Sequence, residues 1–139
     1  RWMVTCWTMD SSTVMKMGEA ADGFMGVMPY RYYYDTAAKS PMLDKIRALR
    51  PEYQSTAYIQ GFLAAMLFTE AAKRTLDAGK PLTGPNLKAA LNSIKDFDTG
   101  GLIGVPITIS GNSIPVGRVY KADVKAKKMV PASDWIVLK

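Results

Sequence analysis

Apolar residues along this chain follow two spacings, one at each end and another through the middle. Arg1-Trp2-Met3-Val4-Thr5-Cys6-Trp7 has the β-favouring character of a strand already under way, as expected of a fragment of a longer chain. Asp10-Ser11-Ser12 offers helix-capping side chains, and Val14 to Gly18 then gives a short helix that a glycine ends. Beyond Gly23, Phe24-Met25-Gly26-Val27-Met28 is short and apolar enough for a buried strand, and Pro29, lacking an N–H, stops its ladder. Tyr30-Arg31-Tyr32-Tyr33-Tyr34-Asp35 is too polar for a core strand and too aromatic for an ordinary linker. It predicts a surface crossover between packed units, with its rings lying flat.

Through the middle the spacing becomes three and four. Met42, Leu43, Ile46 and Leu49 share one helical face that Pro51 ends. Between Thr56 and Ala78, Ile59, Phe62, Leu63, Met66, Leu67 and Ala71 form a longer stripe; Glu70, Lys73, Arg74 and Asp77 fall mostly on other faces, and Gly79 terminates the helix. Thr83 and Pro85 open a further helix with Leu87, Ala90, Leu91 and Ile94 on one side. From Gly100 the pattern predicts strands at Val105 to Ile109, Val116 to Val124, Met129-Val130 and Trp135 to Leu138, with a hairpin turn at Lys125 to Lys128. The chain is therefore α/β, with strands at both ends of a helical middle and no internal repeat.

Composition narrows the chemistry. The 139 residues suit one domain, and 48% hydrophobic with 22% charged is close to the globular average, which excludes disorder as a description of the whole. The longest apolar stretch, Ala57 to Phe68, contains Gln60 and falls short of the roughly 20 residues of a membrane span. With no histidine and Cys6 as the only cysteine, most metal sites, histidine-based triads and any intrachain disulfide are excluded. The net charge of +6 has one local concentration, Lys121, Lys125, Lys127 and Lys128, which reads as a solvated strand edge or turn. No aromatic residues interleave with those lysines to stack bases, so no nucleic-acid partner is expected.

Three constellations bear on function. Cys6-Trp7-Thr8 follows the first strand, where loops at the carboxyl ends of α/β sheets present side chains to a crevice; Trp7 either stacks on a ligand there or packs on the adjacent helix. Tyr58 and Gln60 stand in the first turn of the long helix, whose free N–H groups can seat a carboxylate. Asp96-Phe97-Asp98-Thr99-Gly100-Gly101 lacks the alternating oxygens and distal Glu of a calcium loop. Glu19, Asp22, Glu52, Glu70 and Asp77 lie on solvated faces, so no catalytic pair and no cofactor is expected.

Gly18-Glu19-Ala20-Ala21-Asp22-Gly23-Phe24-Met25-Gly26 resembles the "GEAAEG" helix-to-strand turn of type I periplasmic binding proteins, in particular the branched-chain amino-acid group of ABC transporter substrate-binding proteins. The features that follow keep that family's order: Pro51 and Ser55-Thr56-Ala57-Tyr58 before a long helix, Leu82-Thr83-Gly84 before another, then Ile94 to Pro106, and Val130-Pro131-Ala132-Ser133-Asp134-Trp135-Ile136 near the end. The resemblance spans nearly the whole chain. It implies the C-terminal portion of a bilobed fold, with three-layer α/β/α lobes joined by hinge strands and a ligand trapped between them.

On that resemblance, residues 1–29 end one lobe, 30–32 cross a hinge, 33–104 belong to the other lobe, 105–109 form a hinge strand and 110–139 return as closing strands. Tyr30, Tyr32, Val105 and Pro106 are then hinge residues, and Cys6, Trp7, Thr8, Tyr58 and Gln60 contact ligand. The implied partners are a small ligand (an amino acid, or an aromatic or apolar carboxylic acid), a membrane ABC permease and the N-terminal portion of the same protein, in the periplasm. Where the family often supplies an acid for a ligand ammonium, this chain has Cys6, Trp7 and Thr8, which favours an acid without an ammonium. Alternatives are a sensory module of the same fold and, against the lack of histidine, a small α/β enzyme.

Overall fold

The computed structural model describes residues 3–6, 8–36 and 39–138. Four strands make one mixed sheet in chain order: β1 (Met3–Val4), β2 (Met25–Met28), β3 (Val116–Asp123) and β4 (Lys128–Val137). β1 and β2 run parallel, connected through helix α1 (Ser11–Lys16) and a single 3-10 turn, Gly18–Ala21. β2 pairs antiparallel with β3, Met28 opposite Arg118, so strands from both ends of the chain share one sheet. Between β2 and β3 lie α2 (Pro41–Leu49), α3 (Thr56–Asp77) and α4 (Gly84–Asn92).

The three helices form where the apolar stripes predict, except that α4 ends at Asn92 and buries none of its own residues, so Ile94 is buried beyond the helix rather than on its face. Ser40 caps α2 by accepting from the Leu43 N–H, Pro41 occupies its first turn, and Leu43 and Ile46 are buried. On α3 the buried stripe is Ile59, Leu63, Leu67 and Ala71, and Gly79 ends the helix at φ +67°.

The first turn of α3 is held from a distance. One oxygen of Asp10 accepts from the Thr56 N–H at 3.0 Å and from its hydroxyl at 3.1 Å, while the other accepts from the Ser12 N–H at 2.9 Å. A single carboxylate thus caps α1 and α3. Desolvation raises its pKa, but the hydrogen bonds from Ser12 and Thr56 prevail and leave it below the usual carboxylate value. The folded state binds this proton less readily than the unfolded chain. The stabilisation is therefore full above the ordinary Asp value of 3.8 and is lost as pH falls through the lower folded value. Asp10→Ala is expected to cost about 1–2 kcal/mol at pH 7. In thermal melts the gap to wild type should narrow as pH drops below 4; a gap that widens in acid contradicts the cap.

Three expectations are corrected. The tyrosine run is interior rather than surface: Tyr30, Tyr32 and Tyr33 are buried and only Tyr34 is exposed. Polar tips allow it, because Tyr32 donates to the Met9 carbonyl and Tyr33 to the Arg50 carbonyl. Val105 to Ile109 makes no continuous strand; only Ile107 pairs, with Phe97, since Pro106 cannot donate and the Ile109 N–H goes to the Ile94 carbonyl. The two short C-terminal strands are one, β4, which runs straight through Pro131. That proline is tolerated because β4 is an edge strand with a bulge after it, where the Ser133 hydroxyl accepts the Val119 N–H in place of a ladder bond.

The same crossover carries a buried charge cluster against the sheet. Asp35, whose side chain is fully buried, lies 3.3 Å from Arg31 Nη1 and 3.8 Å from Arg118 Nη1, and accepts from the Tyr120 hydroxyl. Arg31 is fixed further by donating Nε–H to the Gly101 carbonyl at 2.7 Å. The Arg31 and Arg118 guanidinium groups lie 5.6 and 5.8 Å from the Trp135 ring centre. Trp135 in turn rests on Gly104, where an added Cβ would stand 2.0 Å from the indole nitrogen.

Candidate functional site

Two hollows meet at Pro29, where β2 ends. The larger, about 490 Å³, is walled by Gln60, Leu63 and Leu67 of α3, Lys88 and Leu91 of α4, Ile103, the 109–114 loop and Tyr30. The second, about 470 Å³, is lined by Met3, Val4, Thr5, Cys6, Val27 and Pro29. Either volume suits a small organic molecule. Pro29 lines both, so the two adjoin at the point where the chain leaves the sheet.

The helical periodicity that buries Leu63 and Leu67 also sets Gln60 one turn earlier on that side of α3, which places its amide at the larger hollow. Lys88 and Asn92 are likewise one turn apart on α4. The Tyr30 ring is buried, and its hydroxyl feels Cys6 and Asp10. Desolvation first, then the electrostatic influence of Cys6 and Asp10, pushes its pKa up to about 12, so it is a neutral phenol at any physiological pH.

Cys6 lines the second hollow and Gln60 the first, and the two hollows share Pro29. Thr8 is exposed in the turn, its N–H donating to the Thr5 carbonyl. Trp7 lies outside the described residues. Tyr58 lines neither of these hollows and packs, half-buried, against the core. The helix start next to it is not an open anion seat, because Asp10 occupies it. Of the residues assigned to hinges, Tyr32 is buried with its ring edge-on to Tyr120 at 4.8 Å, Val105 is half-buried and Pro106 is exposed.

Sequence reasoning did not assign Tyr30 to a binding surface. Its one signal was the position directly after Pro29, at the end of a strand, where α/β sheets place ligands. Among the described residues lining the two hollows there is no Asp or Glu; the polar groups are neutral apart from Lys88. Such a surface accommodates a neutral or anionic solute with an apolar body.

Comparison with known proteins adds a family match and three likenesses of fold. A family profile described as periplasmic binding protein matches residues 1–128. A branched-chain amino-acid ABC transporter protein of Thermus thermophilus, solved with bound valine, superposes with a TM-score of 0.78 at 19% identity over 99% of this chain and 39% of its own. The leucine binding protein LivK of Thermotoga maritima gives 0.71 at 12% identity, over 94% of this chain and 36% of its own. A structure described as an ABC transporter permease from the Pseudomonas fluorescens group gives 0.72 at 20% identity, over 97% of this chain and 36% of its own. The chain thus spans less than two fifths of the length of each. No curated protein matches it.

Proposed function

The chain belongs to the periplasmic binding protein family, and from that we propose that the protein it is part of captures a small carboxylate-bearing solute outside the cytoplasm and hands it to a membrane ABC permease. Residues 1–29 and 110–139 form one lobe in this reading, 33–104 contribute to the other, and the chain passes between them at 30–32 and 105–109. The pairing of β2 with β3 supports this division, since it joins the two ends of the chain while, among the described residues, the helical middle adds no strand to their sheet. A solute touching both lobes gains contacts only when they close, and so shifts the population toward the closed form. The permease then recognises that form.

The observation that carries the ligand class is the lining: apolar walls, Gln60 and Tyr30, Lys88 at the rim, and no carboxylate among the described lining residues. An ammonium group closed in beside such walls has no counter-charge. We therefore favour an aromatic or apolar carboxylic acid over an α-amino acid, although one neighbour was solved with valine and another is a leucine binding protein. Calorimetric titration of the intact protein with phenylacetate and with leucine tests this. Phenylacetate is expected to bind at least on the order of tenfold more tightly, the deficit of an uncompensated ammonium. Leucine binding more tightly than the acid overturns the ligand class and leaves solute capture standing.

A further inference from the structure

Four tyrosines are fully buried, and three of their hydroxyls have partners inside the protein: Tyr32 with the Met9 carbonyl, Tyr33 with the Arg50 carbonyl and Tyr120 with Asp35. Tyr30 is the fourth, and its hydroxyl has no partner among the described residues. Buried hydroxyls are otherwise almost always hydrogen-bonded, so this one is a donor in want of an acceptor. It is also not sealed: the only side-chain nitrogen or oxygen both closed off and unpartnered among the described residues is Trp135 Nε1. Tyr30 lines the larger hollow, and its hydroxyl is neither sealed off nor bonded to another described residue.

Resting on the reading of this hollow as the solute site, we infer that Tyr30 determines specificity by donating a hydrogen bond to a carboxylate oxygen of the bound solute, with Lys88 at the rim supplying the positive charge. A phenol held neutral by burial keeps its proton and can only strengthen its bond to an anion relative to a neutral acceptor. Gln60 offers an amide that serves either donor or acceptor, so it discriminates less between charged and neutral heads.

Tyr30→Phe removes one oxygen and leaves the ring in the core. Phenylacetate and phenylacetamide are titrated by calorimetry into the intact wild-type protein and Y30F, with the ligand-free Tm measured for both. The acid is expected to lose on the order of tenfold to a hundredfold in affinity in Y30F, the amide less than about threefold, with Tm little changed. If leucine binds in place of the aromatic acid, leucine and leucinamide form the pair. Lys88→Met, at an exposed position indifferent to folding, is expected to weaken the acid several-fold at low salt and less at high salt. Unchanged acid affinity in Y30F, or equal losses for acid and amide, overturns the role of Tyr30 while the proposed function stands. A wild-type protein that binds neither the aromatic acid nor leucine overturns both.

Discussion

Asp35→Ala is expected to destabilise the intact protein by about 3–5 kcal/mol, read as a lower midpoint in chemical denaturation with an unchanged slope. The carboxylate is fully buried and is shared by Arg31, Arg118 and the Tyr120 hydroxyl. Its removal leaves two guanidinium groups, 5% and 12% exposed, facing each other without a counter-charge, and Arg31 cannot swing out because its Nε–H is bonded to the Gly101 carbonyl. The exposed pair Lys73–Asp77, at 3.4 Å with both side chains about two-thirds open to solvent, provides the contrast. Lys73→Ala should change stability by no more than about 0.5 kcal/mol. Should the two substitutions prove equally mild, the Asp35 cluster is not holding the crossover to the sheet.

Gly104→Ala is the second large effect, expected at about 1–3 kcal/mol. The added methyl would lie 2.0 Å from Trp135 Nε1 and 2.6 to 2.7 Å from two ring carbons. A flexible side chain could step aside; a rigid indole in contact with two guanidinium groups gives way less readily. Trp135→Phe offers a smaller ring, so the double variant G104A/W135F should recover part of the loss. A double-mutant cycle measures that coupling, and strictly additive losses mean that the indole is not what fills the space above Gly104.

The helices were legible because their cause is local. Leu43 and Ile46, or Ile59, Leu63 and Leu67, bury at the spacing a helix imposes, and Ser40, Pro41 and Gly79 mark their ends within a few residues. The errors came where the cause is remote. Nothing near Tyr32 or Tyr33 announces that the Met9 and Arg50 carbonyls wait for their hydroxyls, so a polar run looked like surface. Asp10 was readable as a cap for the helix beside it, but its second oxygen serves Thr56, 46 positions on. Met129-Val130 and Trp135 to Leu138 looked like separate strands, and only the sheet order makes Pro131 between them an edge residue that needs no donor.

The site was legible to the same degree. Cys6 and Gln60 fall in hollows because strand ends and helix faces lead there. Tyr30 could not be separated from its neighbours in the run, since what distinguishes it is burial combined with a hydroxyl left without a partner, a property of the whole fold. The family resemblance, carried by Gly18 to Gly26 and by the order of later segments, reached further than the local chemistry did and agrees with the profile match over residues 1–128.

The first turn of a long helix is ordinarily where it frays, since its N–H groups have no partners within the helix. Here that turn is pinned by the side chain at the start of α1, so α3 cannot unwind from its start unless the segment around Asp10 lets go as well. Slow amide exchange at Thr56 would be inherited from its distant neighbour, and the two helices would open as one cooperative unit.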